Sequence, residues 1–249
     1  MDETQVLERA FSMPIDSPAY PAGPYRFVNR EYVIVTYETD EQAIRDILPA
    51  PLEFTKAHVK LEFIKMPDST GFGDYCESGA VIPCLLDGRP VNYVQSMYLN
   101  DHPPIAAGRE LWGFPKKLGQ PELRVHTDTI VGELRYSDML VARATMGFKH
   151  VPMDIAVAKE ALGSENILLK IMPHVDGTPR ICELVSYRLV DITVKGAWMG
   201  PGSIELHPHA LAPMANLPVR KVLSSVHFLG DMTLPYGTVV HDYLVGKVR

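Results

Sequence analysis

The chain has 249 residues, 46% of them hydrophobic and 22% charged, ordinary values for a globular protein with a sizeable core and not for a disordered one. Its formal charge is −6, from 24 Lys and Arg against 30 Asp and Glu, which disfavours a nucleic-acid binder. No apolar run approaches the ~18 residues of a membrane span, and the N-terminus, with Asp2, Glu3 and Glu8, lacks the basic start and apolar stretch of a signal peptide.

In chain order, residues 2–10 suit a short helix. Val33–Tyr37 alternates with period two and reads as a strand. Asp40 can cap a helix over Glu41–Leu48, stopped by Pro49 and Pro51. Val59–Met66 and Tyr75–Ile82 alternate again. Asp87-Gly88 is a hairpin turn signal before the strand Tyr93–Leu99. Ile130–Tyr136 and Met139–Met146 follow the same pattern. Asp154 can cap Ile155–Leu162, with Gly163 just past the end. Asp176-Gly177 marks another tight turn, then Ile181–Val194 and Gly237–Leu244 alternate. The segments are rich in Val, Ile, Tyr and Thr. The expected class is mainly β (α+β), an antiparallel barrel or sandwich with a few peripheral helices. No repeat or linker interrupts the sequence, so a single domain over residues 1–249 is expected.

Three cysteines, Cys76, Cys84 and Cys182, are odd in number and widely spaced. They suit ordinary thiols in a reducing compartment, and the cytoplasm is the default location. Gly71-Phe72-Gly73 lacks the third glycine and following helix of a dinucleotide site. There is no Gly-x-Ser-x-Gly elbow and no His-Glu-x-x-His. His207-Pro208-His209 could present two rings to a metal, but no third ligand stands nearby, so no metal is expected.

The segment from Gly108 to Gly119 is the most unusual. Lys116 and Lys117 stand among Trp112, Phe114, Pro115 and Leu118. An arbitrary Lys-Lys pair is a solvated basic turn; these apolar neighbours argue otherwise. In an extended segment the two side chains point to opposite faces. One lysine can then enter the interior. Burial disfavours the ammonium and yields a neutral amine, which attacks ketones to form a Schiff base. The protonated imine is an electron sink. It accepts the electron pair left when a β-carboxylate departs as CO₂, with no metal or organic cofactor.

Two carboxylates fall within strand-like segments, Glu77 in Tyr75-Cys76-Glu77-Ser78-Gly79 and Glu62 in Lys60-Leu61-Glu62-Phe63-Ile64. On the latter, Val59, Leu61 and Phe63 share one face, and Glu62, Ile64 and Met66 the other. A carboxylate beside Ile and Met sits at a sheet edge or is paired. Arg30 could be the partner of Glu62. Taken singly, each of these residues fits a structural salt bridge.

At Pro115-Lys116-Lys117-Leu118-Gly119 the sequence resembles the acetoacetate decarboxylase family. The likeness spans nearly the whole chain. It includes Ser17-Pro18-Ala19, Gly23-Pro24-Tyr25, Asn29-Arg30-Glu31-Tyr32, Glu77-Ser78-Gly79, Gly108-Arg109-Glu110-Leu111 and Ala144-Thr145-Met146-Gly147. It continues through Gly177, Arg180-Ile181-Cys182-Glu183-Leu184 and Ala212-Pro213. The resemblance implies that Lys116 is the Schiff-base nucleophile and Lys117 its charged neighbour. Glu77, Arg30 and Glu62 would form the polar group beside it. Phe27, Met97 and Phe114 are candidates for the apolar wall. It also implies a cone-like closed antiparallel β-barrel, a homododecamer and a small β-keto acid substrate, with no nucleic-acid or membrane partner. Because Lys117 should diverge from Lys116, burial more than charge repulsion is expected to favour the neutral amine. The run Trp112-Gly113-Phe114 departs from the family pattern and leaves the pocket shape open.

The leading expectation is conversion of acetoacetate to acetone and CO₂. An alternative uses the same lysine for aldol or dehydration chemistry on another keto acid. A non-catalytic barrel that binds a small apolar ligand, and metal-dependent hydrolysis through His207 and His209, are further alternatives.

Overall fold

A computed structural model describes residues 1–245; the last four residues of the expected domain lie outside the described part. The long strands β1 (Tyr25–Glu38), β3 (His58–Ser69), β4 (Gly73–Leu86) and β5 (Arg89–Leu99) form one antiparallel block. The short β2 (Glu53–Phe54) pairs with β4, and β6 (Lys116–Leu118) with β5. Next come β7 (Gln120–His126), β8 (Thr129–Tyr136), β9 (Met139–Gly147) and β10 (Val151–Pro152). The chain continues through β11 (Asn166–Pro173), β12 (Pro179–Tyr187), β13 (Val190–Met199), β14 (Gly202–Leu206), β15 (Lys221–Leu234) and β16 (Thr238–Asp242). Helices are few and short: α1 (Glu3–Glu8), α2 (Glu41–Arg45), α3 (His102–Ala107) and α4 (Ile155–Leu162). The class is mainly β, as the alternation implied.

Hydrogen bonding orders the large sheet β10-β13-β15-β1-β3-β4-β5-β11-β12-β16, and a smaller sheet runs β14-β9-β8-β7. Two pairings depart from the expected antiparallel pattern: β5 runs parallel to β6 and to β11. A parallel neighbour needs a crossover, and α3 with the turn after it supplies one between β5 and β6.

Both faces of the large sheet are covered. Val33, Val35, Tyr37, Val59, Leu61 and Phe63 pack in one core with Ile130, Leu134 and Val141 of the small sheet. The opposite faces of β1 and β3, with Tyr32, Ile64 and Met66, belong to a second core with Met97, Trp112, Phe114, Leu162 and Phe228. The face assignment made for β3 from alternation therefore holds. The sheet curls so far that residues of β1, β3, β12 and β15 face one cavity in this second core.

Local chemistry explains most element ends. Asp87 and Gly88 take φ values of 50° and 74°, the positive pair that a two-residue hairpin demands. Asp154 accepts a hydrogen bond from the backbone N–H of Ala156 and starts α4. Asp2 does the same for α1 in a capping box with Gln5. The helix expected over Glu41–Leu48 is shorter, Glu41–Arg45. Asp40 does not cap it, because both carboxylate oxygens accept from Arg220 at 2.7 Å. The segment Ile181–Val194 divides into β12 and β13 at Arg188-Leu189. There Arg188 turns to pair with Glu165 at 2.7 Å, and the chain moves from β11 to the edge of β15.

Candidate active site

Lys116 is placed by the crossover. Pro103 and Pro104 open α3, where a missing N–H costs nothing. The helix passes into a π-helical turn, Gly108–Trp112, which Gly113 ends in the left-handed region at φ 85°. A side chain at Gly113 would collide with Lys170 Cα at 2.4 Å. Trp112 Nε1 donates to the Pro235 carbonyl at 3.0 Å and Lys170 Nζ to that of Leu111 at 3.0 Å, pinning the turn. Arg109 donates to the Lys116 carbonyl at 3.2 Å. In β6 Lys116 lies opposite Met97.

The pair diverges as extended geometry requires. Lys116 is 7% exposed, while Lys117 is exposed and donates to the Leu211 carbonyl at 2.8 Å. Lys116 Nζ donates to the Pro104 carbonyl at 3.1 Å and lies 2.7 Å from Glu77 Oε1, a residue 3% exposed. The Phe114 ring centroid is 5.0 Å away. The contact with Oε1 is an ion pair lying off the hydrogen-bond direction, so that oxygen has no aligned donor among the described residues. Oε1 is thus a buried acceptor within reach of the Lys116 side-chain nitrogen.

Arg30 stands on the far side of Glu77, 3.8 Å from Oε2, stacked over Phe27 and Tyr32 at 4.7 Å each. A bulge in β1 between Phe27 and Arg30, with Asn29 at φ 56°, inserts the residue that turns both side chains to the cavity. Lys195 and Asp231 hold Asn29 in place. The ion pair of Arg30 is with Glu77, not with Glu62 as the sequence suggested. Register is the reason: Glu77 lies opposite Ile64, one residue from Lys65, the partner of Glu31, whereas Glu62 lies opposite Ile34.

These groups line a cavity of about 200 Å³. Arg30, Glu62, Glu77, Lys116, Phe27, Met97 and Phe114 all face it; of the expected site residues, Lys117 alone does not. Burial pushes the Glu62 carboxyl up, with Lys60 and Arg30 pulling it back. Burial also raises Tyr32, Tyr75 and Tyr187 on the walls, keeping their hydroxyls protonated. Tyr75, Tyr187, Lys60, Asn92 and the Pro104 carbonyl were not read from the sequence. Tyr75 and Lys60 stood inside segments already singled out; a backbone carbonyl leaves no sequence signal.

Elsewhere, His209 Nδ1 accepts from the Leu211 and Ala212 N–H groups. The three cysteines are free. Among the described residues no helix is long and apolar enough to cross a membrane.

The profile of the family described as Acetoacetate decarboxylase (ADC) matches residues 12–244. The acetoacetate decarboxylase of Acidiphilium cryptum is 59% identical over 244 residues, covering 98% of this chain and all of the relative. The crystal structure of acetoacetate decarboxylase from Legionella pneumophila is 53% identical, with a TM-score of 0.91 over 96% of this chain and 97% of that one. Another solved acetoacetate decarboxylase gives a TM-score of 0.95 at 46% identity, over 98% of this chain and 100% of that one. With this breadth of similarity, the chain belongs to the acetoacetate decarboxylase family.

Proposed function

We propose that this chain is a carboxy-lyase that converts acetoacetate to acetone and CO₂ through an imine on Lys116. The observation that carries the reading is the buried Lys116 Nζ, 2.7 Å from Glu77 Oε1, on the wall of a closed-in cavity. Glu77 takes a proton from the ammonium. The free amine attacks the ketone carbon, the carbinolamine loses water, and a protonated imine forms. The bond to the carboxylate breaks, CO₂ departs, and its electron pair neutralises the imine as an enamine. Glu77, having given its first proton to the hydroxyl that left as water, takes another from solvent and in this reading delivers that one to the terminal carbon. Water then hydrolyses the imine, releasing acetone and the amine.

Arg30 is positioned to meet the incoming carboxylate through Nε, a buried donor without a hydrogen bond among the described residues. A tight salt bridge to the substrate would oppose loss of that carboxylate, so a loose contact serves the rate better. Phe27, Met97 and Phe114 exclude water, which favours neutral CO₂ over the carboxylate. Glu62 sets the polarity beyond Glu77, and Lys117 stays outside the reacting group. The same reading takes residues 1–249 as one domain. It also takes the protein as a cytoplasmic homo-oligomer that works without metal or organic cofactor.

Borohydride trapping with acetoacetate, followed by peptide mass spectrometry, tests the proposal. An isopropyl adduct on Lys116 is expected, because it records both imine formation and loss of CO₂. An adduct that keeps the carboxylate would point to aldol or dehydration chemistry on another keto acid. No adduct on folded protein would overturn the enzyme reading.

A further inference from the structure

We propose that Lys60, held by Asn92 at the mouth of the cavity, is the point where the substrate's carboxylate is first captured before it moves inward to Lys116. The inference rests on the decarboxylase reading for the identity of the anion. The geometry beneath it is independent of that reading.

The cavity has two polar ends. The inner one holds Lys116, Glu77 and Arg30, all buried. The outer one holds Lys60, Asn92 and Asn166, beside half-buried Ile34, Leu189 and Val226 and exposed Ala161. Apart from Asn92, which is buried, these residues are more exposed than those at the inner end, and the mouth is placed beside them. Two strands measure the separation. On β3, Lys60 precedes by four residues Ile64, the partner of Glu77, about 13 Å at ~3.3 Å per residue. On β5, Asn92 precedes by five residues Met97, the partner of Lys116, about 16 Å on the same scale. These spacings separate the backbone positions that carry the two ends, so Lys60 and Lys116 enter the cavity from different levels of its wall.

Three cations line the cavity: Arg30, Lys60 and Lys116. The inner two each face Glu77. Lys60 makes no ion pair among the described residues; its hydrogen bond goes to the neutral Asn92 Oδ1 at 2.9 Å. A half-buried ammonium with spare donors, fixed by an amide, suits a small carboxylate. Burial pulls Lys60 down and Glu62 pulls it back up. An arriving carboxylate adds a second anion beside it and further favours the charged form. A cation at a narrow, low-dielectric mouth raises the rate at which anions enter.

The test compares trapping rates on Lys116 for anionic acetoacetate and neutral acetone, at low and high salt, in the parent, Lys60→Met and Lys60→Arg. In Lys60→Met the ratio of acetoacetate to acetone rates should fall about tenfold at low salt. Its salt dependence should flatten, and Lys60→Arg should restore most of both. An unchanged ratio, or an equal loss for the two ketones, would overturn the proposal. If the parent traps neither ketone, the decarboxylase reading fails, and the capture point is judged by calorimetry with butyrate, which forms no imine. A Kd weakened about tenfold in Lys60→Met would then support it, and an unchanged Kd would overturn it.

Discussion

Replacing Gly108 by alanine separates the position of Lys116 from its presence. A Cβ at Gly108 would lie 2.6 Å from Lys116 Cδ, 2.8 Å from Cε and 3.1 Å from Nζ. Non-bonded carbons settle at ~3.5–4.0 Å, so the end of the lysine must withdraw by about 1 Å. That withdrawal pulls Nζ from its place beside Glu77 and Pro104. A misplacement of ~1 Å can cost ~100-fold in rate, about 2.7 kcal/mol at ~1.36 kcal/mol per tenfold. The fold should not suffer, because Gly108 sits at φ −61°, ψ −44°, a conformation that alanine adopts freely. At such a site Gly→Ala adds about 0.4–1 kcal/mol by restricting the unfolded chain, and the clash falls on the mobile end of a side chain. Activity and stability should therefore move apart. CO₂ release from acetoacetate should drop ~100-fold in kcat/KM, while the Tm by circular dichroism holds or rises. A rate within about threefold of the parent would refute the reasoning. So would a Tm that collapses together with the rate, which would mark Gly108 as a folding position only.

Lys117→Met should change kcat by no more than about threefold, because the exposed ammonium loses only its bond to the Leu211 carbonyl; a loss beyond about tenfold would show that its charge acts on Lys116. Glu165 anchors the start of β11. Its oxygens accept from Ser186, Arg89 and Arg188 at 2.8, 2.7 and 2.7 Å. Burial raises its carboxyl, but Ser186, Arg89 and Arg188 together hold it below the ordinary value of 4.5. The folded state thus binds this proton less readily than the unfolded chain. The stabilisation is full above the ordinary value and is lost as pH falls through the lowered one. Glu165→Gln should lower Tm at neutral pH and flatten its fall on the acid side; an unchanged acid slope would contradict the assignment.

What the sequence made legible followed from short-range periodicity. The opposite fates of Lys116 and Lys117 need only an extended segment. The two faces of β3 were readable because apolar residues and Glu62 alternate cleanly. β15 went unread because its buried positions carry Ser225, His227 and Gly230 as well as Phe228 and Met232, so hydrophobicity alone shows no alternation. The partner of Arg30 depends on register across three strands and on a bulge at Asn29. A one-residue slip would have reversed the faces, and no local pattern fixes it. The close approach of Gly108 to Lys116 comes from the turn between them, which places residues eight apart in van der Waals contact.

The strand β3 is a party wall between two rooms. Val59, Leu61 and Phe63 furnish one, a sealed core against the small sheet. Lys60, Glu62 and Ile64 furnish the other, where substrate is handled in our reading. Evolution and protein engineers therefore hold separate controls on one ribbon of backbone. Substitutions at the odd-numbered positions should register mainly in unfolding curves. Those at 60, 62 and 64 should register mainly in the choice and speed of substrate. Because the two faces pack into separate cores, variants drawn from opposite faces should combine with nearly additive effects.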